Sequence, residues 1–256
     1  IDKFSLEIKE IHSFDSPSLS KGLDNQAVTS SPNNYQIVTS GESGSYLVAY
    51  DGDFLLKESI KLSNLSLKNL AIEAKDDLTW IAGEITGSPS ECENTADDER
   101  CLVLVEFDRE RNEPITMTFL KLSADSATGL EKANLHLHPD EVGIYLSFGS
   151  SLMLLKDKKV SWMRTVNSAS DYSCAITQLT GGDLSVVLGL SCDAKRSKIN
   201  RAMMMSLNLS GESSDNAYLT TVPSTAPQTT TSTSTMSSLT QNPTNVKQSG
   251  EVKMGR

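Results

Sequence analysis

The 256-residue chain is 38% hydrophobic and 22% charged, long enough and apolar enough to bury a sizeable core. Its 33 acidic and 23 basic residues give a formal net charge of -10, which opposes binding to a phosphate backbone and excludes nucleic acid as a partner. The longest apolar runs fall well short of the roughly 20 residues that a membrane-spanning helix needs, so no direct membrane insertion is expected of this segment.

The chain opens at Ile1 without an initiating Met and is read as a piece of a longer or processed protein. FSLEIKEI, residues 4–11, resembles the last strand of a unit whose other strands would lie upstream. From there a pattern recurs four times. A first run ends at a glycine: YQIVTSG at Gly41, LTWIAG at Gly83, IYLSFG at Gly149 and LSVVLG at Gly189. A second run stops at Asp or Asn: YLVAYD at Asp51, CLVLVEFD at Asp108, LMLLKD at Asp157 and AMMMSLN at Asn208. QAVTS, LAIEA, LHLH and CAITQL precede the glycine runs, and FLLKESI, ITMTFL, VSWMRTV and AYLTTV follow the second runs. These short β-rich runs lie between turn residues and lack a long 3.6-residue apolar period, so each unit is predicted to be four short strands.

A four-stranded unit of roughly 40–50 residues has the length of a propeller blade and must stack on its neighbours to bury its faces. The predicted fold is therefore all-β, a β-propeller or partial propeller over residues 1–222, with units near 10–60, 61–122, 123–166 and 167–222. A β-sandwich of the same strands is the alternative. Four units and an orphan strand fit a closed ring poorly, so missing blades of the same protein or protein partners are expected against the open sheets. Residues 223–256, rich in Thr, Ser and Pro, have little to bury and are predicted to be a disordered linker or O-glycosylated stalk.

Four cysteines fall as Cys92/Cys101, bracketing the acidic insertion ENTADDER, and Cys174/Cys192, flanking two strands. Disulfides within each pair are expected, with four buried thiols as the alternative. Asn64-Leu65-Ser66 and Asn208-Leu209-Ser210 are N-glycosylation triplets. Together with the tail they favour a secreted glycoprotein, extracellular or at the cell surface, over a cytoplasmic scaffold.

Trp162, Gly181, Gly182, Gly189, Asn208 and Gly211 carry a resemblance to secreted propeller-like families. In these, a unit begins near a tryptophan, turns at Gly-Gly, ends a strand in Gly and closes at an Asp/Asn-x-x-Gly turn. The resemblance implies a surface, adhesion or assembly module, and it implies no conserved catalytic centre. Other units depart from the pattern, with Asp76-Asp77 and Glu141-Val142 at the turn position. Gly181-Gly182 is predicted to supply positive φ for a tight hairpin turn.

No reactive constellation stands out. His136 and His138 share one face of a strand near Asp140 and Glu141, but a lone H-x-H lacks an assignable third metal ligand. Asp51-Gly52-Asp53 and the acidic insertion lack the spacing of a calcium loop. Asp76, Asp77, Asp97, Asp98 and Glu99 lie in turns or the insertion, where carboxylates are solvated rather than paired for glycoside hydrolysis. No serine lies in a nucleophile elbow, and no glycine-rich stretch suits a phosphate. The basic run Lys195-Arg196-Ser197-Lys198 with Arg201 is a solvated loop or a rim contact for an acidic partner. The expected function is thus a noncatalytic interaction or structural module in a larger surface or filament-like assembly. It is expected to be no enzyme and to hold no cofactor or metal. The alternative is part of a secreted propeller hydrolase whose active site lies largely outside this segment.

Overall fold

A computed structural model describes residues 25–232, apart from 32–33, 42–43, 52–55, 64–65, 87–99, 112, 123–134, 169–171, 183–184, 195–199, 214–218 and 224–227. The described residues form strands in four antiparallel sheets. The first sheet holds β1 (Asn25–Ser31), β2 (Asn34–Gly41), β3 (Gly44–Asp51) and β4 (Leu56–Ser63). The second holds β5 (Ser66–Lys75), β6 (Leu78–Thr86), β7 (Arg100–Asp108) and β8 (Glu113–Leu122), and the third β9 (Leu135–Pro139), β10 (Ile144–Phe148), β11 (Ser151–Lys156) and β12 (Lys159–Ser168). The fourth has β13 (Tyr172–Gly182), β14 (Ser185–Ala194) and β15 (Asn200–Asn208).

Strands within each sheet follow one another in chain order, and the first strands of successive sheets meet: β1 against β5, β5 against β9 and β9 against β13. Consecutive up-and-down sheets joined through their first strands are propeller blades. The described residues form four blades of a β-propeller or partial propeller. FSLEIKEI lies outside the described residues.

Three apolar clusters occupy the three seams. Val38, Leu47 and Ile60 of the first blade meet Ile72, Ile81 and Val103 of the second. Trp80, Leu104 and Leu120 of the second meet Leu137, Leu146 and Met153 of the third. Leu152, Leu154 and Val166 of the third meet Ile176, Val186 and Leu188 of the fourth. Burying each such aliphatic side chain contributes about 1.5–3 kcal/mol, so the seams hold the blades together. Strand alternation explains the division, because successive residues of a strand face opposite seams.

Polar ties fix the stacking. The buried Thr79 hydroxyl donates to Gln36 Oε1 at 2.7 Å, and the amide of Leu67 donates to Ser40 Oγ at 2.7 Å. Within the second blade, a bulge between Lys68 and Ala71 leaves Asn69 at φ 51°. This directs Asn69 Nδ2 to Glu84 Oε2 at 2.8 Å, while Lys68 and Arg100 reach Oε1 at 3.1 and 3.0 Å. The buried carboxylate of Glu84 thereby gains the partners that burial of a charge demands.

The chain's end departs from the expected plan. AYLTTV, predicted to finish the fourth unit, supplies β16 (Leu219–Pro223), which pairs instead with β12 of the third blade. The corner after β15 explains this. Trp162 Nε1 donates to the carbonyl of Leu209 at 3.0 Å and Arg164 Nη2 to that of Ser210 at 3.2 Å, both from β12. The chain leaving β15 is therefore delivered to the edge of β12, where the Thr221 hydroxyl donates to the carbonyl of Gly211. A last strand, β17 (Gln228–Ser232), pairs with β8 of the second blade, so strand pairing extends past residue 222. Residues 233–256 lie outside the described residues.

Candidate functional site

Three of the residues that carry the sequence resemblance, Trp162, Asn208 and Gly211, meet at that corner. Asn208 Oδ1 accepts the amides of Ser210 and Glu212, each at 2.9 Å, and so holds the turn. Gly211 has φ +74° and lies under the Trp162 ring, where an added Cβ would come within 2.8 Å of the indole. Trp162, Asn208 and Gly211 thus form one structural joint between the third and fourth blades. Gly181 and Gly182 do not make the turn. Both belong to β13, and the Gly182–Ser185 pair encloses residues 183–184. Gly181 instead permits close approach, because a Cβ there would lie 2.5 Å from His138 Nε2.

His136 and His138 do share a face, opposite Ser147 and Tyr145 of β10. Burial pushes both imidazoles below the ordinary histidine value and so favours their neutral form; Asp140 and the Ile176 backbone oppose that shift only in part. Among the described residues no group of three or more His, Cys, Asp or Glu side chains could hold a metal ion.

The cysteines are oxidised where they are described. Cys174 and Cys192 face each other across β13 and β14 and form a disulfide, with Cα atoms 4.0 Å apart. Cys101 is also disulfide-bonded, while its expected partner Cys92 lies outside the described residues, as does Asn64. Asn208 is exposed at the end of β15. Arg201 stacks on Tyr172, its guanidinium 5.2 Å from the ring centre, and the basic residues 195–198 lie outside the described residues. Asp76 and Asp77 occupy the exposed β5–β6 turn as expected, and residues 97–99 are not described.

The chemistry-bearing arrangement lies elsewhere, in a cleft of about 240 Å³ between the second and third blades. Trp80, Leu104, Glu106, Thr116 and Thr118 line one wall; Asp140, Gly143, Ile144, Leu155, Asp157 and Lys158 line the other. Strand register builds the first wall. Glu73 of β5, Trp80 of β6, Glu106 of β7 and Thr116 of β8 are successive cross-strand partners and stand in one row on one face; the last three line the cleft, and Glu73 heads the row beside it, outside the lining. Neighbouring strands lie about 4.8 Å apart, which sets the backbones of Glu73 and Glu106 about 10 Å apart with the indole between them. Burial raises the Glu73 carboxyl above the ordinary value. The Thr116 hydroxyl donates to Glu106 Oε2 at 3.5 Å.

A two-residue hairpin turn builds the opposite lip. Asp157 and Lys158 both adopt left-handed backbone, φ 50° and 65°, between the paired Lys156 and Lys159. Asn-Gly serves such turns at lower steric cost. Left-handed backbone at both central residues is what a two-residue I′ hairpin turn requires, and Asp76 adopts it in the β5–β6 turn as well.

Sequence reasoning passed over Glu73 and Glu106. Each lies within an ordinary strand run, LAIEA or CLVLVEFD, and only the register across three strands makes them neighbours of Trp80.

No family model and no curated relative matches the chain. A search of solved structures finds similarity to the GH43 BlXynB protein from Bacillus licheniformis, with a TM-score of 0.47 and 10% identity. The match covers 80% of this chain and 43% of that one, so the chain spans less than half of that protein's length. GH43 is a glycoside hydrolase family, and the finding stands against the expectation that the chain is no enzyme, which is withdrawn. At this identity and score the likeness transfers no residue role and no reaction.

Proposed function

We propose that the chain is part of a secreted propeller hydrolase acting on carbohydrate, and that the cleft between its second and third blades holds a sugar ring. The observation that carries this reading is the row Glu73–Trp80–Glu106. Saccharides offer an apolar ring face to an aromatic side chain and hydroxyls to carboxylates, and this wall supplies both. Glycoside hydrolysis needs two carboxyls roughly 5–9.5 Å apart, one kept protonated as acid and one ionised. Side chains leaning towards each other from backbones about 10 Å apart fall within that range. The raised carboxyl of Glu73 suits the acid, and Glu106, lining the cleft, suits the base or nucleophile.

Location and partners belong to the same reading. The disulfide is at home in an oxidising compartment, which supports an extracellular site with N-glycans at Asn64 and Asn208. The far face of the fourth blade exposes Met204 by 76%, and an adjoining blade or a protein partner would cover it.

Hydrolysis of a panel of oligosaccharides tests the reading. Glu73→Gln and Glu106→Gln are each expected to lower the rate by about 10²–10⁴ with folding intact. Undiminished cleavage by both variants, or no cleavage of any glycan by the unmodified protein, would count against it.

A further inference from the structure

We propose that the seam between the third and fourth blades is a binding site for ordered water, held in two places: between His136 and Ser147, and between Tyr145 and Asp140. Four buried polar atoms carry this, none with a hydrogen-bond partner: His136 Nε2, Asp140 Oδ2, Tyr145 Oη and Ser147 Oγ. All four belong to the β9–β10 hairpin. His136 pairs with Ser147 and His138 with Tyr145, so these side chains share one face, the face on which Tyr145 packs with Ile176, Val186 and Leu188 of the fourth blade. Tyr145 and Ser147 are wholly buried. Asp140 Oδ2 lies on the same side, since a Cβ on Gly181 of β13 would come within 3.5 Å of it.

The chemistry of each atom says what it lacks. The Ile176 amide donates to the carbonyl of Gly149 at 2.7 Å, so the bond between His136 and the Ile176 backbone uses the Ile176 carbonyl, with the other ring nitrogen, Nδ1, as donor. That leaves Nε2 of the neutral ring an acceptor. Ser147 stands directly opposite, its Cβ about 5 Å from that of His136, and its hydroxyl can give or accept. Burial, and then the nearby Asp140 charge, hold the Tyr145 phenol protonated, so Oη has a proton to give and Asp140 Oδ2 can only accept. One water donating to His136 Nε2 and bonded to Ser147 Oγ, and a second accepting from Tyr145 Oη and donating to Asp140 Oδ2, satisfy all four atoms. Left bare, each would carry its full desolvation penalty. Three of the four groups are uncharged, so a cation would have a single carboxylate to hold it, too few oxygens for a hard metal ion.

Tyr145→Phe and Ser147→Ala each remove one hydroxyl and little volume, and the sign of their effect tests the proposal. Deleting a dry, unpaired hydroxyl would leave stability unchanged or raise it. Deleting one that holds water strands the water's other partner, so the unfolding equilibrium constant, read from urea titrations, is expected to rise about fivefold in each variant. A crystal structure of the unmodified protein that resolves solvent is expected to show density within about 3.2 Å of both atoms of each pair. Variants as stable as the unmodified protein or more so would overturn the proposal. So would a seam without such density, a direct bond between Tyr145 and Asp140, or density at the roughly 2.0–2.6 Å contacts of a metal ion.

Discussion

Gly143→Ala is expected to destabilise the protein by about 3 kcal/mol, read as a lowered urea midpoint with an unchanged slope. Gly143 closes the β9–β10 turn, where it exchanges backbone hydrogen bonds with Asp140. Its φ of +152° is one that L side chains rarely adopt, and an added Cβ would run into the carbonyl oxygen of Leu155 and lie 3.1 Å from Leu154 Cδ1. A backbone oxygen in a paired strand cannot step aside as a side-chain tip can, so β10 and β11 would have to part. Because Gly143 and Leu155 also line the cleft, saccharide affinity should fall with stability. A variant as stable as the unmodified protein would show that the turn is not held against β11 in this way.

Removing the second-largest constraint gives a comparable loss. The Cys174–Cys192 bond closes a loop of sequence separation 18 across directly paired residues. A closure of that size restricts the unfolded chain by about 3 kcal/mol, and replacing both cysteines with alanine should cost that or slightly more, since both side chains are buried. The loss should concentrate in the fourth blade. Amide exchange of β13–β15 should quicken more than that of β5–β8, whose seams are packed on both sides. Uniform quickening across all blades would instead mean that the blades unfold as one body.

Much of the fold was legible because strands announce themselves locally. Each of the sixteen runs in the fourfold pattern coincides with a strand, while FSLEIKEI lies outside the described residues. Alternation and turn residues act within a few positions of one another, so a sequence displays them directly. The destination of AYLTTV was not legible, because it depends on the grip of Trp162 and Arg164 on carbonyls more than 40 residues away. The role of Gly181 was hidden similarly: a glycine pair reads as a turn until His138 of another blade is found against it. The cleft was the least visible feature. Carboxylates in turns and in an acidic insertion drew attention, whereas Glu73 and Glu106 gain their meaning only from register with Trp80. The noncatalytic expectation arose from that gap, since no convergent set of polar groups can be seen when its members lie on different strands.

The chain's two tryptophans allow one direct test of the cleft. Trp80 lines it, whereas Trp162 is fixed at the β12 corner by its bond to Leu209. In a ¹H–¹⁵N spectrum the two indole resonances, assigned with Trp162→Phe, would be followed during titration with the members of the oligosaccharide panel. The account predicts a saturable shift of the Trp80 indole while that of Trp162 stays in place. Movement of Trp162 alone, or binding that leaves both indoles unmoved, would contradict the placement of the sugar between the second and third blades.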